Sequence, residues 1–268
     1  MKNFFTIVFT AFSLTAFAQA DSEIVQIPDA NFKKELLENY SINSNNDNEI
    51  SYKEAQEYKG EINVSSKNIS SLEGIEAFVN LTILFCDYNN LTNLDVSKNT
   101  ALKYLGCSNN QLTSLDVSEN IALKGLYCLD NQLTSLDISK NTALINLMCN
   151  SNKLTSLNVS KNIALEELSC DNNRLTSLDV SKNIELTSLV CNNNQLTSLD
   201  VSKNTALQKL VCENNNLSTL NVANGHNKNL TIWAKNNPNL KCIKIDKGFK
   251  APSHWEKDRT AKYSENCE

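Results

Sequence analysis

The sequence predicts an α/β repeat protein: a solenoid of 21-residue coils whose short parallel strands line one concave face, with a helical cap at the N-terminal end. Three observations predict it. Cys86, Cys107, Cys128, Cys149, Cys170, Cys191 and Cys212 recur at a fixed interval of 21 residues. Around each lies the same Leu- and Asn-rich unit. The chain also holds only 6 Gly and 3 Pro among 268 residues, so turns between its many short apolar runs fall to Asn and Ser.

Residues 1–20 form a separate segment. Lys2 gives a positive start, Phe4 to Phe17 is uncharged and largely apolar, and Ala18-Gln19-Ala20 is a small-residue cleavage signature. The run is shorter than the roughly 20 apolar residues that span a bilayer, so a cleavable signal peptide is expected. Its removal takes one Lys and no acid, which moves the net charge from −5 to −6. A mildly acidic chain has no electrostatic footprint for nucleic acid or anionic lipid. No later stretch is apolar enough for membrane insertion. The expected location is secreted or at the cell surface, with the periplasm as the alternative, and the expected state is monomeric.

Residues 21–60 do not repeat and are read as the cap. Pro28 to Leu37 places Phe32, Leu36 and Leu37 on one helix face. Residues 43–54 then follow the spacing of a calcium-binding EF-hand loop. Its ligand positions fall on Asn43, Asn45, Asp47, Glu49 (through its carbonyl), Ser51 and Glu54, with apolar Ile50 at position 8. Asn43 replaces the usual Asp and Asn48 the usual Gly, so few carboxylates remain. Any calcium affinity is expected at ~10⁻⁴–10⁻³ M. The alternative is a helix–loop–helix that needs no metal. No cofactor is required in either case.

Residues 61–240 carry the coils. The unit Leu102-Lys-Tyr-Leu105-Gly-Cys107-Ser-Asn-Asn110-Gln-Leu112 matches the leucine-rich-repeat pattern L-x-x-L-x-L-x-x-N-x-L, with Cys in the third apolar slot. In Leu105-Gly-Cys107 alternate residues point inward, so each coil supplies one short strand and the apolar positions stack between neighbours. Two asparagine columns align as well. Asn89, Asn110, Asn131, Asn152, Asn173, Asn194 and Asn215 satisfy backbone groups where the strand turns away. Asn99, Asn120, Asn141, Asn162, Asn183 and Asn204 do the same on the opposite edge. Ile62-Asn-Val64 begins the array. Beyond Cys212 the period slips, and anchoring on Asn237 puts Ile232 in the Leu slot and Ala234 in the Cys slot. Some nine coils, about 40 Å at the strand spacing, are expected.

The seven periodic cysteines read as free thiols filling one core slot; they lack the clustered C-x-x-C or His partners of a metal site. Cys242 and Cys267 lie off the period in residues 241–268, the C-terminal cap. A disulfide between them is expected in an exported chain, tying Phe249, Trp255 and Tyr263 over the last coil.

The cysteine-bearing unit and the cap resemble the cysteine-ladder internalins over residues 27–268, and are similar to repeat proteins secreted by Gram-negative bacteria. The resemblance implies an EF-hand-like helical cap and extracellular recognition of proteins or glycans, often in adhesion.

An enzyme is not expected. His226 and His254 have no nucleophile motif near them, and no phosphate loop or H-E-x-x-H occurs. Asp95, Asp116, Asp137, Asp179 and Asp200 read as solvated turn residues, with a cation ladder as the sharper alternative. Recognition falls to residues flanking the inward Leu and Cys. The candidate face comprises Phe85, Tyr104, Tyr127, Met148, Glu167, Val190, Lys209, Val211 and Trp233. These positions vary from coil to coil over an invariant scaffold. Their apolar content favours a protein partner over a glycan, and a ligand-free envelope or periplasmic scaffold is the competing reading.

Overall fold

The computed structural model describes residues 23–267. Helix α1 (Ala30–Leu37) begins at Asp29, whose carboxylate accepts the N–H groups of Asn31 and Phe32. The same carboxylate accepts from Ser70 at 2.8 Å and Ser71 at 3.2 Å, which fastens the helix start to the first coil. Helix α2 (Tyr52–Glu57) starts in a capping box between Ser51 and Glu54. Phe32, Leu36, Ile42, Ile50 and Phe78 are fully buried beneath the cap, while Leu37 is half-buried.

Each coil then contributes a strand of two to four residues to one parallel sheet. Its strands are β1 (Glu61–Asn63), β2 (Ile83–Phe85), β3 (Tyr104–Gly106), β4 (Gly125–Tyr127), β5 (Asn146–Met148), β6 (Glu167–Ser169) and β7 (Ser188–Val190). A second sheet begins with β8 (Ser198–Asp200) and continues with β10 (Thr219–Asn221), β12 (Cys242–Lys244) and β14 (Lys262–Ser264). The first sheet resumes with β9 (Lys209–Val211), β11 (Thr231–Ala234) and β13 (Glu256–Lys257), which makes ten strands against four. The central Leu of each strand from β2 to β10 faces the core, as do Ile62 of β1, Ile232 of β11, Ile243 of β12 and the seven ladder cysteines, which are free and buried.

The last coil takes the Asn-anchored register. Ile232 pairs with Leu210 and Trp233 with Val211, so Ala234 fills the slot used elsewhere by cysteine. Asn237 accepts the Leu217 N–H and donates to the Cys212 carbonyl, as the ladder asparagines do. The tail goes further than lying over this coil, because β13 extends one sheet and β12 and β14 extend the other.

Both asparagine columns are structural. Asn131 is typical of the first, with its Oδ1 accepting the Leu112 N–H and its Nδ2 donating to the Cys107 carbonyl, both at 3.0 Å. The second column uses only its donors: Asn141 Nδ2 gives to the Val117 and Asn120 carbonyls at 2.9 Å, while its buried Oδ1 has no partner. Each coil leaves its strand through a residue in the left-handed region, φ +50° to +55°, from Tyr88 through Asn109 and Asp130 to Asn214. Asn and Asp tolerate this conformation; a tyrosine there is an outlier.

Trp255 closes the C-terminal end. Its Nε1 donates to the Leu230 carbonyl at 2.7 Å, and its ring packs on Phe249 and Tyr263 with centroids 5.2 and 5.7 Å away. Asp258 accepts the Asn236 and Asn237 N–H groups, and Asp246 accepts those of Gly225 and Asn227, so carboxylates terminate the ladders. Cys242 and Cys267 form a disulfide.

Candidate functional site

The ten-stranded face gathers all nine candidate recognition residues. Strands β1 to β7, β9 and β11 turn a Leu or Ile inward, so the residues on either side point out in two parallel rows. One row runs Phe85, Gly106, Tyr127, Met148, Ser169, Val190, Val211, Trp233, in direct register from strand to strand. Beside it run Ile83, Tyr104, Gly125, Asn146, Glu167, Ser188 and Lys209. Glu167 and Lys209 are exposed, and the other candidates are half-buried. Burial pushes the Tyr127 hydroxyl above its usual range, and the neighbouring Tyr104 and Glu167 add to the shift. Gly106 and Gly125 are covered by the rings beside them.

Tyr88 escaped the sequence reading. It is 62% exposed beside this face and sits in a column otherwise filled by Asn, Asp and Ser. That break in the column was visible in the sequence. Ile121, Ile163 and Ile184, each more than half exposed, form a second unanticipated ridge in a column shared with threonines.

The residues of the loop at 43–54 come together, but around a carboxylate. Glu54 is buried, and its Oε1 accepts the Ser44 N–H at 2.9 Å, the Ser44 hydroxyl at 3.1 Å and the Asn45 N–H at 3.4 Å. Its Oε2 accepts the Ser51 N–H at 3.0 Å and hydroxyl at 2.9 Å. Asn43 turns its Nδ2 toward the Asp47 and Leu37 carbonyls, leaving Oδ1 buried without a partner. Asp47 is engaged by the Glu49 N–H and the Asn45 amide, and the Glu49 carboxylate pairs with Lys33. A calcium ion would have to displace the five donors at Glu54 and reverse the Asn43 amide. The donor set therefore fits a loop locked by its own hydrogen bonds better than one held by metal.

Burial pushes the Glu54 carboxyl up, but the hydrogen bonds from Ser51, Asn45 and Ser44 outweigh it and hold the group below its ordinary range. A carboxyl lowered on folding stabilises the cap above the unfolded value of about 4.3, and this stability is lost as pH falls through the lower folded value. We expect the cap to loosen on acidification, to loosen at neutral pH in Glu54→Gln, and to melt at an unchanged temperature in millimolar Ca²⁺. Hydrogen exchange over residues 43–58 and melting curves check all three; a calcium-dependent rise of several degrees would restore the metal reading.

The aspartate column acts in turns. Asp95, Asp116, Asp137, Asp179 and Asp200 each accept the N–H of the serine two residues on, at 2.8–2.9 Å. Among the described residues no group of three or more His, Cys, Asp or Glu gathers to hold a metal. Both histidines are exposed. Among the described residues no helix is long and apolar enough to cross a membrane. The expected signal peptide lies outside the described residues.

No family model matches the chain, and no curated protein matches it. Solved structures do. Internalin C2 from Listeria monocytogenes superposes with a TM-score of 0.66 at 19% identity, over 81% of this chain and 93% of its own. This is a leucine-rich-repeat solenoid. A leucine-rich-repeat protein of Leptospira interrogans superposes with a TM-score of 0.62 at 22% identity, over 72% of this chain and 56% of its own. The functional domain of InlJ from Listeria monocytogenes, which includes a cysteine ladder, is 26% identical over 88% of this chain and 68% of its own, with a TM-score of 0.38. At these identities the likeness speaks for the solenoid's architecture, and its binding chemistry must be argued from its own strand face.

Proposed function

We propose that the chain is a non-enzymatic recognition module, exported to the cell exterior, which takes a protein partner on its ten-stranded face in an adhesive role. The observation that carries this reading is the contrast between the two sides of each strand. Leu84, Leu105, Leu126, Leu147, Leu168, Leu189 and Leu210 never vary and are fully buried or nearly so. The outward residues in the same strands change from coil to coil. A face with varied side chains on a fixed backbone presents a distinct pattern to a partner. In the C-terminal half, Val190, Val211 and Trp233 form an apolar strip flanked by the exposed charges of Glu167 and Lys209, the composition of a protein contact with a polar rim.

Trp233 is the expected hot spot. Replacing Trp233 and Val211 together by alanine should weaken capture of surface proteins from an extract by about thirtyfold or more, the scale of a buried aromatic anchor. Both residues point outward, so the melting temperature should move little. Undiminished capture by the folded double variant would sink the reading.

A further inference from the structure

Gly106 and Gly125 are the only glycines in the strands of the ten-stranded sheet, and both lie beside aromatic rings. Phe85 stands opposite Gly106, and Tyr104 opposite Gly125, in the parallel register. A Cβ on Gly106 would fall 2.6 Å from Phe85 Cδ1 and 2.6 Å from Asp87 Oδ2. One on Gly125 would fall 2.8 Å from Tyr104 Cδ1 and 2.9 Å from the Tyr127 hydroxyl. Rings and glycines thus alternate like a checkerboard over three coils. Each ring leans into the space of a missing side chain and rests against the sheet instead of standing out from it. Glycine weakens a strand, and within one it often marks a place where a ligand comes close.

The polar group at ring level narrows the ligand. Asp87 Oδ1 accepts the Ser108 N–H at 2.8 Å, and Oδ2 lies over Gly106 beside the Phe85 ring. An apolar peptide side chain seated there would strip water from this oxygen and offer no donor in return. A pyranose brings both halves of the match: a C–H face for the rings and hydroxyl donors around its rim for the carboxylate. The charge of Asp87 opposes a carboxylated sugar in the same place. Phe85 and Tyr127 lie two strands apart, about 10 Å, which is the reach of a disaccharide.

We propose that Phe85, Tyr104 and Tyr127, laid down over Gly106 and Gly125, form a stacking platform for a neutral hexopyranose chain, with Asp87 accepting from its hydroxyls. The proposal rests on the strand face being the recognition surface, but it uses other residues than the Trp233 strip. The test is saturation-transfer NMR and calorimetry on the exported chain with cellohexaose, chitohexaose, mannohexaose and laminarihexaose, and with hexagalacturonate as the acidic control. At least one neutral hexaose should bind at millimolar Kd or tighter. Tyr104→Ala should lower that affinity at least about tenfold and Asp87→Asn severalfold. Gly125→Asn, which places there the residue that Asn146 supplies in the next coil, should lift the rings and cost at least about tenfold while the circular dichroism stays unchanged. Silence across the neutral panel, equal binding of hexagalacturonate, or binding that survives both Tyr104→Ala and Gly125→Asn overturns the platform. If sugars fail while Trp233→Ala with Val211→Ala still weakens protein capture, only the platform falls. Failure of both removes the strand face as the recognition surface.

Discussion

Replacing Asn131 with alanine is expected to destabilise the protein by about 3 kcal/mol, a large fraction of what holds a domain together. The side chain is almost wholly buried and serves two coils at once. Its Oδ1 accepts the Leu112 N–H at 3.0 Å, and its Nδ2 reaches the carbonyls of Cys107 at 3.0 Å and of Cys128 and Leu129 at 3.3 Å. Alanine leaves the Leu112 N–H inside the stack without a partner, an orphan that costs about 1–3 kcal/mol, and strips one of two donors from the Cys107 carbonyl, which keeps Asn110 Nδ2 at 3.1 Å; each lost bond adds about 0.5–1.5 kcal/mol. Asn141→Ala is expected to cost less. Its amide also joins two coils, but only through its donors, and its Oδ1 already lacks a partner. Urea unfolding of the two variants at neutral pH gives the ordering. Equal losses, or a loss under about 1 kcal/mol for Asn131→Ala, would show that the backbone re-pairs or hydrates when the side chain is removed.

Much of this architecture was legible because the solenoid repeats one local decision. Leu105 and Cys107 must face inward once a three-residue strand is granted, and the same decision then holds at 21-residue intervals. Even the slipped final coil could be placed, since only Asn237 reaches the backbone groups that the ladder asparagines serve. The second sheet was not legible. Thr113-Ser-Leu-Asp116 and Thr197-Ser-Leu-Asp200 have the same residue types, yet only the latter contains a strand of that sheet. The difference lies in the neighbours: β8 is followed by β10, which pairs with β12 of the cap, whereas Asp116 makes a single bridge to Asp95. Pairing there belongs to the stack, not to the segment. The loop at 43–54 was only half legible, for another reason. Ligand spacing places the Glu54 oxygens inside the loop, but a cation and a set of N–H groups look alike to a carboxylate, and the sequence does not say which it meets. The sheet face likewise announced its aromatic residues but not their tilt, which depends on the missing Cβ atoms of Gly106 and Gly125 across the register.

Breaking the Cys242–Cys267 bridge should destabilise the C-terminal coils by about 3–4 kcal/mol, the chain-entropy value for its 25-residue loop. The bond fixes β12 beside β14, where Ile243 pairs with Tyr263, and so holds the segment that brings Trp255 under the last coil. In a solenoid each coil leans on its neighbours, so the loss should appear first as local opening. Hydrogen exchange in Cys242→Ser with Cys267→Ser should rise over residues 240–267 and fade toward the middle coils. Mild reductant should reproduce the effect in the unmodified chain, because it has nothing else to act on. The seven ladder cysteines are already thiols, and burial pushes Cys128 and Cys212 up to about 12, so thiolate is scarce at neutral pH. Iodoacetamide added with the reductant should therefore label Cys242 and Cys267 and spare the ladder until the whole stack unfolds. Labelling of Cys212 together with the bridge cysteines would mean that the cap's bond supports the final full coil as well. Labelling spread evenly along the ladder would show that the coils open together and that the bond is not a local clasp.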